Sequence, residues 1–394
     1  MSGSIQRIQD AFAFRAPDRT PLFEIYSPFH PIYWDMCGHT PATEARLYWD
    51  ALAEGISSEE LLELSVEAQY RINRYFEVDM VRLNGALSAA GSRPVKTGPE
   101  TWTRDGVEYH RDPKTDLVVL ANPAEDQSYT HRYDETEVRQ RLEAWDGTCP
   151  DIVHGPDRFG EMMKARADAD DVEWVDMAEI GAGTGVAFFP PFLLMWMIEE
   201  PELCHRWISM QKLPAFEATR RAVENGATVV AMGGDVSCDK GPFVSPALYR
   251  EFVLPVIQEH TRVIQEAGAR AVYTSDGNHW PIAQEFFFDS GIDGYKEVDK
   301  AAGMTWPRLI ESGVADRVCI LGNMDARYTM CQGSPEDVAR EVIECLDYGR
   351  QSPGGHILHL SHSVHEDIPK ENYYALVAAY RDYFGLPALP SPSV

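Results

Sequence analysis

The chain has 394 residues, of which 44% are hydrophobic and 25% charged, so it can build a sizeable core and a solvated surface. Its 35 Lys and Arg against 62 Asp and Glu leave a net charge of −27. That field repels phosphate backbones and anionic lipids and argues against nucleic-acid or membrane-surface binding.

The opening MSGSIQRIQDAFAFRAPDRTP lacks the apolar core and cleavage site of a signal peptide, and a cytoplasmic location is expected. TPLFEIY (20–26) reads as a first buried strand, residues 41–77 have helical spacing, and DMVRLNGA (79–86) reads as a second strand. Residues 91–133 are rich in turn residues and hold two short alternating runs, which predicts a β-hairpin excursion above the main fold. A helix is expected over about 134–145, a strand at EWVDMAEIG (173–181) and helices through 190–225. ATVVAMGGD (227–235), ARAVYTSDG (269–277), GIDGYKEVD (291–299), DRVCILGNMD (316–325) and GHILHLSHS (355–363) are further strands. Helices at 245–268, after 277 and at 334–349 separate several of them, and Ser245–Pro246 and Ser334–Pro335 are cap-plus-proline openings. Strands alternating with helices predict parallel βα units, and this number of them predicts an α/β fold, a (β/α)8 TIM barrel, as one domain over residues 1–394.

Seven cysteines (Cys37, Cys149, Cys204, Cys238, Cys319, Cys331, Cys345) form no CxxC and no regular framework, which predicts reduced thiols. GAGTG at 181–185 lacks the partners of a nucleotide-binding loop.

Polar residues recur at the ends of the late strands: Asp235, then Asp276, Asn278 and His279, then Glu297, then Asn323 and Asp325, then His362 and His365. In a βα barrel the carboxyl ends of the strands converge on one mouth, so these side chains are expected to share a site. Any one Asp or Asn there also serves as a helix cap or turn former. Imidazoles at the same level call for more than capping, because histidine titrates near neutral pH and also binds metals.

In the same segments the chain resembles the uroporphyrinogen decarboxylase superfamily. GPFVSPALYREFVLPVIQEH (241–260), TSDGNHWP (274–281), LGNMDARY (321–328) with GSPEDVAREV (333–342), and GGHILHLSHSVHEDIPKENYYAL (354–376) carry the resemblance in order over residues 225–385. It implies the same barrel. Porphyrinogen-decarboxylating members have arginines in an RQAGRY-like loop after the first strand, whereas here the loop reads EIYSPFHPIYWDMCG (24–38), without arginine for carboxylate recognition. The cobalamin-linked methyltransferase branch carries zinc on an H-x-C motif and a later cysteine. Those positions fall on Thr274, Asp276 and the neighbourhood of Ser361 and His362, so a thiolate zinc site is not expected.

The resulting expectation is a methyltransferase or demethylase acting on a small methylated substrate and delivering the methyl group to a corrinoid protein. Asp276, His362 and Asp235 are the catalytic candidates. Asp276 and His362, with Glu297, would hold zinc or another divalent metal through O and N donors, a metal-free polar pocket being the alternative. Glu24, Tyr26, His30, Tyr33, Trp34, His279 and Asn323 would bind substrate. The rings of Tyr26, Phe29, Tyr33 and Trp34 would enclose the methyl-bearing group, with cation–π contacts if it is a quaternary amine, or else simply pack the mouth. A carboxy-lyase, with Asp79 as its acid, and a non-catalytic member of a corrinoid complex are the competing readings. A homodimer is the expected assembly.

Overall fold

In a computed structural model, the described residues are 3–83, 85–122, 134–149, 157–184, 191–352 and 354–392. Residues 123–133 of the expected excursion and Gly185 of the GAGTG segment lie outside them.

Seven parallel strands pair in one sheet: Met80–Arg82, Val175–Gly181, Val229–Gly233, Arg270–Thr274, Gly294–Lys296, Cys319–Leu321 and His356–Ile357. The first expected strand closes this sheet on itself. Leu22 bridges Leu358 and Phe23 bridges Met80, both in parallel, with Phe23 N donating to Leu358 O at 3.0 Å and Asp79 N to Leu22 O at 2.7 Å. The result is an eight-membered α/β barrel with its helices outside.

Strand alternation sends one set of side chains into the lumen. Phe23, Met80, Val175, Met177, Val229, Ala231, Val272 and Leu321 fill its lower part, and the helix Ser4–Phe12 closes that end with Ile8, Ala11 and Phe12. The register then carries Gly181, Gly233, Thr274 and Lys296 side by side at the upper level. Arg82, opposite Met177, and Glu179, opposite Ala231, have the same inward parity. The lumen is therefore apolar below and charged above.

The helices follow their local chemistry. The 41–77 segment divides into Ala45–Glu54 and Ser58–Tyr75 because Gly55 takes a left-handed φ of 90° after the first, and Ser57 caps the second through Glu60 N at 3.1 Å. The expected 245–268 helix is interrupted by a π turn at Tyr249–Val253; Pro255 has no N–H for the Glu251 carbonyl, so the ladder skips there. After 277 only short turns form, at Trp280–Ile282 and Gln284–Asp289.

The excursion is larger than a hairpin. Val95–Gly98, Thr101–Arg104, Val107–Arg111 and Val118–Leu120 form a four-stranded antiparallel meander. Its tight Asp105–Gly106 turn has both residues at positive φ, 52° and 81°, and supplies a reversal the alternating pattern did not show. The fully buried Trp102 docks the meander on the barrel helices by donating Nε1 to Asp50 at 3.1 Å.

Candidate functional site at the barrel mouth

The carboxyl ends of the strands open into a cavity of about 850 Å³, lined among others by Asp276, Asp299, Arg327, Cys331, His362 and His365. Lys114, on the last turn of the meander, reaches its wall. Asp276 and His362 thus share one cleft, Asp276 half-buried and His362 exposed on the rim.

Asp276 sits among carboxylates. Burial, followed by the charges of Asp235, Glu297 and Asp299, pushes its pKa up to about 6, against a smaller downward pull from His362. Asp235 is also raised, by burial first and then by Glu297, although the Asp276 amide donates to it. Two neighbouring carboxyls with raised proton affinity are a common device for handling a proton near neutral pH.

Below them lies an ion-pair chain that sequence reasoning missed. Arg82 Nη1 donates to Glu179 Oε2 at 2.7 Å, and Lys296 Nζ lies 3.2 Å from Glu179 Oε1 and 3.1 Å from Glu297 Oε1. The Lys296 side chain is fully buried. Burial alone would raise the Glu179 pKa; Lys296 and Arg82 outweigh it and lower it. The legible signal was a charge at inward parity in each of the runs MVR, VDMAEIG and GYK. On the rim Arg327 bridges Asp239, at 3.0 Å, and Asp299, at 3.3 Å. Cys331 Sγ lies 3.8 Å from His365 Nε2, with its thiol pKa pushed up to about 11 by burial.

The other expected site residues lie elsewhere. His279 is fully buried beyond the lumen, against Phe286 and Tyr295, with Nε2 on Ser275 Oγ at 3.1 Å; burial drives its pKa down to about 3, so it is a neutral core group. Asn323 donates Nδ2 to Met304 O at 2.9 Å and braces a loop. Asp325 is a helix cap, accepting from Arg327 N and Tyr328 N. His30 caps the turn Pro31–Tyr33 through Ile32 N and holds Ile368 O with Nε2.

The aromatic loop packs outside the lumen. Tyr26 follows the inward Ile25, so its ring faces outward, where it stacks on Phe76 and hydrogen-bonds Tyr373 Oη at 2.7 Å. Tyr33 is buried and takes a hydrogen bond from Gln69, and Trp34 donates to Thr43 O. Glu24 is buried with Oε1 3.0 Å from His359 Nδ1, but the angle is not that of a hydrogen bond, and among the described residues both nitrogens of His359 are without one. Asp79 is at the opposite end of the barrel, paired with Arg7 at 3.0 Å and Arg19 at 2.7 Å, far from any role as an acid in the cleft.

The metal expectation meets a geometric obstacle. Among the described residues no three His, Cys, Asp or Glu side chains converge as a metal-ligand set. Glu297 is held by Lys296, and His362 Nδ1 faces Ser363 Oγ at 3.1 Å. Among the described residues Asp276, His362 and Glu297 do not fit a metal in this arrangement.

Residues 190–383 match the family model described as uroporphyrinogen decarboxylase. The chain is 26% identical over 196 residues to the uroporphyrinogen decarboxylase of Coxiella burnetii, covering 48% of this chain and 49% of that protein. It is 28% identical over 194 residues to that of Chlorobium phaeobacteroides, covering 47% and 51%. The match thus spans about half the length of these curated relatives. Among solved structures, a methyltransferase from Methanosarcina mazei superposes with a TM-score of 0.66 over 98% of this chain and 100% of that one, at 17% identity, a likeness of fold. No helix among the described residues is long and apolar enough to cross a membrane. The matched segment contributes Asp235, Asp276, Lys296, Glu297, Arg327 and His362 to the mouth, and over that segment this chain is similar to the uroporphyrinogen decarboxylase superfamily.

Proposed function

We propose that the protein is a methyltransferase-type enzyme that removes a methyl group from a small substrate in the barrel mouth. The observation that carries the reading is the Asp276 carboxyl, half-buried in the cleft beside Asp235 and raised to about pH 6. In methyl transfer the bond between methyl carbon and heteroatom breaks, the heteroatom keeps the electron pair, and a nucleophilic acceptor forms the new bond to carbon. The departing heteroatom leaves easily if it has first gained a proton or already carries a positive charge. A carboxyl poised near neutrality serves either case: protonated, it supplies the proton; ionised, it is the counter-charge. Asp235 shares the proton, and His362 on the rim passes it between cleft and solvent.

The mouth also disfavours a polyanion. Asp276, Asp299, Glu366 and Asp367 outnumber Lys114 and Arg327 along its wall, and Arg327 is already bound to two carboxylates. An octacarboxylate would meet like charge with little compensation. The acceptor in this reading is a corrinoid carried by a partner protein, as the family resemblance implies; no contact in the cleft is assigned to it.

A carboxy-lyase acting on a small acid is the second reading, favoured by the family whose model the chain matches. It uses the same Asp276 to protonate the carbon left after CO2 departs. Incubating the purified protein with candidate substrates and measuring both released CO2 and methyl transfer to added corrinoid protein separates the two. Asp276→Ala and His362→Ala are each expected to lower turnover by about two orders of magnitude, the scale of a lost acid–base group. Full turnover in both variants would sink the mechanism, and efficient decarboxylation of uroporphyrinogen would sink the substrate class.

A further inference from the structure

Beside the catalytic carboxyls, the upper level of the lumen is open among the described residues. Gly181, Gly233, Thr274 and Lys296 are register neighbours on adjacent strands, all facing inward. A Cβ added at Gly181 or at Gly233 would meet no described atom within 4 Å. Neither glycine has a positive φ, so no backbone demand explains them. Two adjacent barrel strands therefore give up side chains at one level and, among the described residues, leave space there.

A polar group looks into that space without a partner. Thr274 is 5% exposed, and among the described residues its Oγ1 has no hydrogen bond. A buried hydroxyl without a partner is costly, and this one, facing the open level, can be satisfied by a ligand atom there.

The charges around the recess decide what that atom belongs to. Arg82 from the second strand and Lys296 from the sixth are balanced by Glu179 from the third and Glu297 after the sixth. Arg327, after the seventh, is balanced by Asp239 and Asp299. Asp235, after the fourth strand, and Asp276, after the fifth, have no ion pair of their own among the described residues, and burial and the charge of Glu297 oppose the ionisation of each. Removing the repulsion between such carboxyls takes either a proton or a bound cation.

We infer that the recess walled by Gly181, Gly233, Thr274, Asp235 and Asp276 binds a small organic cation, and that the substrate's methylated group arrives there as an ammonium. The fate of the methyl group rests on the reaction proposed above; the binding of the cation does not. An ammonium releases a neutral amine, which leaves with the C–N electron pair and needs no proton at departure. Asp276 and Asp235 then act as the counter-charge, and Thr274 accepts from an N–H where the ammonium has one. Recognition of the cation thus lies with carboxylates inside the barrel, while the aromatic loop lies outside it.

Calorimetric titration of the full chain with trimethylammonium chloride tests this, against tert-butanol as a neutral analogue of similar shape and pivalate as an anionic one. Trimethylammonium is expected to bind saturably, with both analogues at least about tenfold weaker, since a desolvated charge is recognised by its sign. Affinity is expected to rise with pH between 5 and 7, by up to about tenfold per unit below the carboxyl pKa, as Asp276 and Asp235 give up protons to accept the cation. Gly233→Val and Gly181→Val should fill the recess and weaken binding by about tenfold or more at an unchanged melting temperature. The inference is overturned if trimethylammonium shows no saturable binding, if either analogue binds as tightly, or if both glycine variants bind like the parent protein. A protein that binds trimethylammonium but transfers no methyl group from any methylated ammonium refutes the proposed reaction and leaves the recess standing.

Discussion

Replacing Asp276 with asparagine should make the protein more stable while making it inactive. The carboxyl has a pKa of about 6 in the fold against 3.8 for the free side chain, because burial and the charges of Asp235, Glu297 and Asp299 oppose its ionisation. The folded state therefore binds this proton more tightly than the unfolded chain does. Below pH 3.8 both states are protonated and the residue contributes nothing. As pH rises from 3.8 to 6 the unfolded chain gives up the proton that the folded protein still holds, so stability falls; above 6 both states are ionised and the loss is complete. A difference of about two pH units is worth about 3 kcal/mol without screening. Solvent reaches this half-buried group and screens it, which leaves about 1–2 kcal/mol. For a chain of 394 residues that corresponds to roughly 2 °C in melting temperature. Differential scanning calorimetry of Asp276→Asn against the parent protein should show a gain that is absent at pH 4, opens between pH 4 and 6, and is complete at pH 7.5. An equal gain at pH 4 and 7.5 would mean that packing, not charge, is responsible. A loss of stability at pH 7.5 would refute the account of the acid cluster.

Lys296→Met leaves Glu179 and Glu297 without their shared buried cation and should cost about 3–5 kcal/mol in urea unfolding; a cost below about 1 kcal/mol would show the pair to be solvated. Tyr26→Phe loses the hydrogen bond to Tyr373 and should cost about 1 kcal/mol. Its kcat/KM should stay within about twofold, and a loss of tenfold or more would place the ring in the cleft after all. Asp79→Ala takes from Arg19 its carboxylate partner and leaves Arg7 with Asp18 alone at the closed end of the barrel. It should destabilise the protein by about 3 kcal/mol and leave the pH dependence of activity unchanged.

The strands, their order and the end of the barrel that carries the polar groups were legible in the sequence, because each follows from local rules. Apolar runs such as ATVVAMGGD must be buried strands, helical segments of ten to twenty residues between them enforce parallel crossovers, and the residues just after each run then meet at one mouth. Asp235, Asp276 and His362 were found in this way, and the structure brings them within reach of one another's charge. The cap-plus-proline signals at Ser245 and Ser334 likewise mark true helix starts, since capping involves only near neighbours.

The inward or outward direction of each side chain was settled only by the closed barrel. Tyr26 and Tyr33 look like a cage when read along the loop, yet strand parity turns Tyr26 away from the lumen and the outer helices bury Tyr33. His279 follows the same strand as Asp276 and ends in the core against Phe286, because one turn of backbone separates facing the cleft from facing the helices. The ion-pair chain Arg82–Glu179–Lys296 joins residues up to 214 positions apart, and no local pattern encodes which charge meets which. The level at Gly181 and Gly233, open among the described residues, is of the same kind: each glycine is ordinary in its own strand, and only the register that sets them side by side makes a recess.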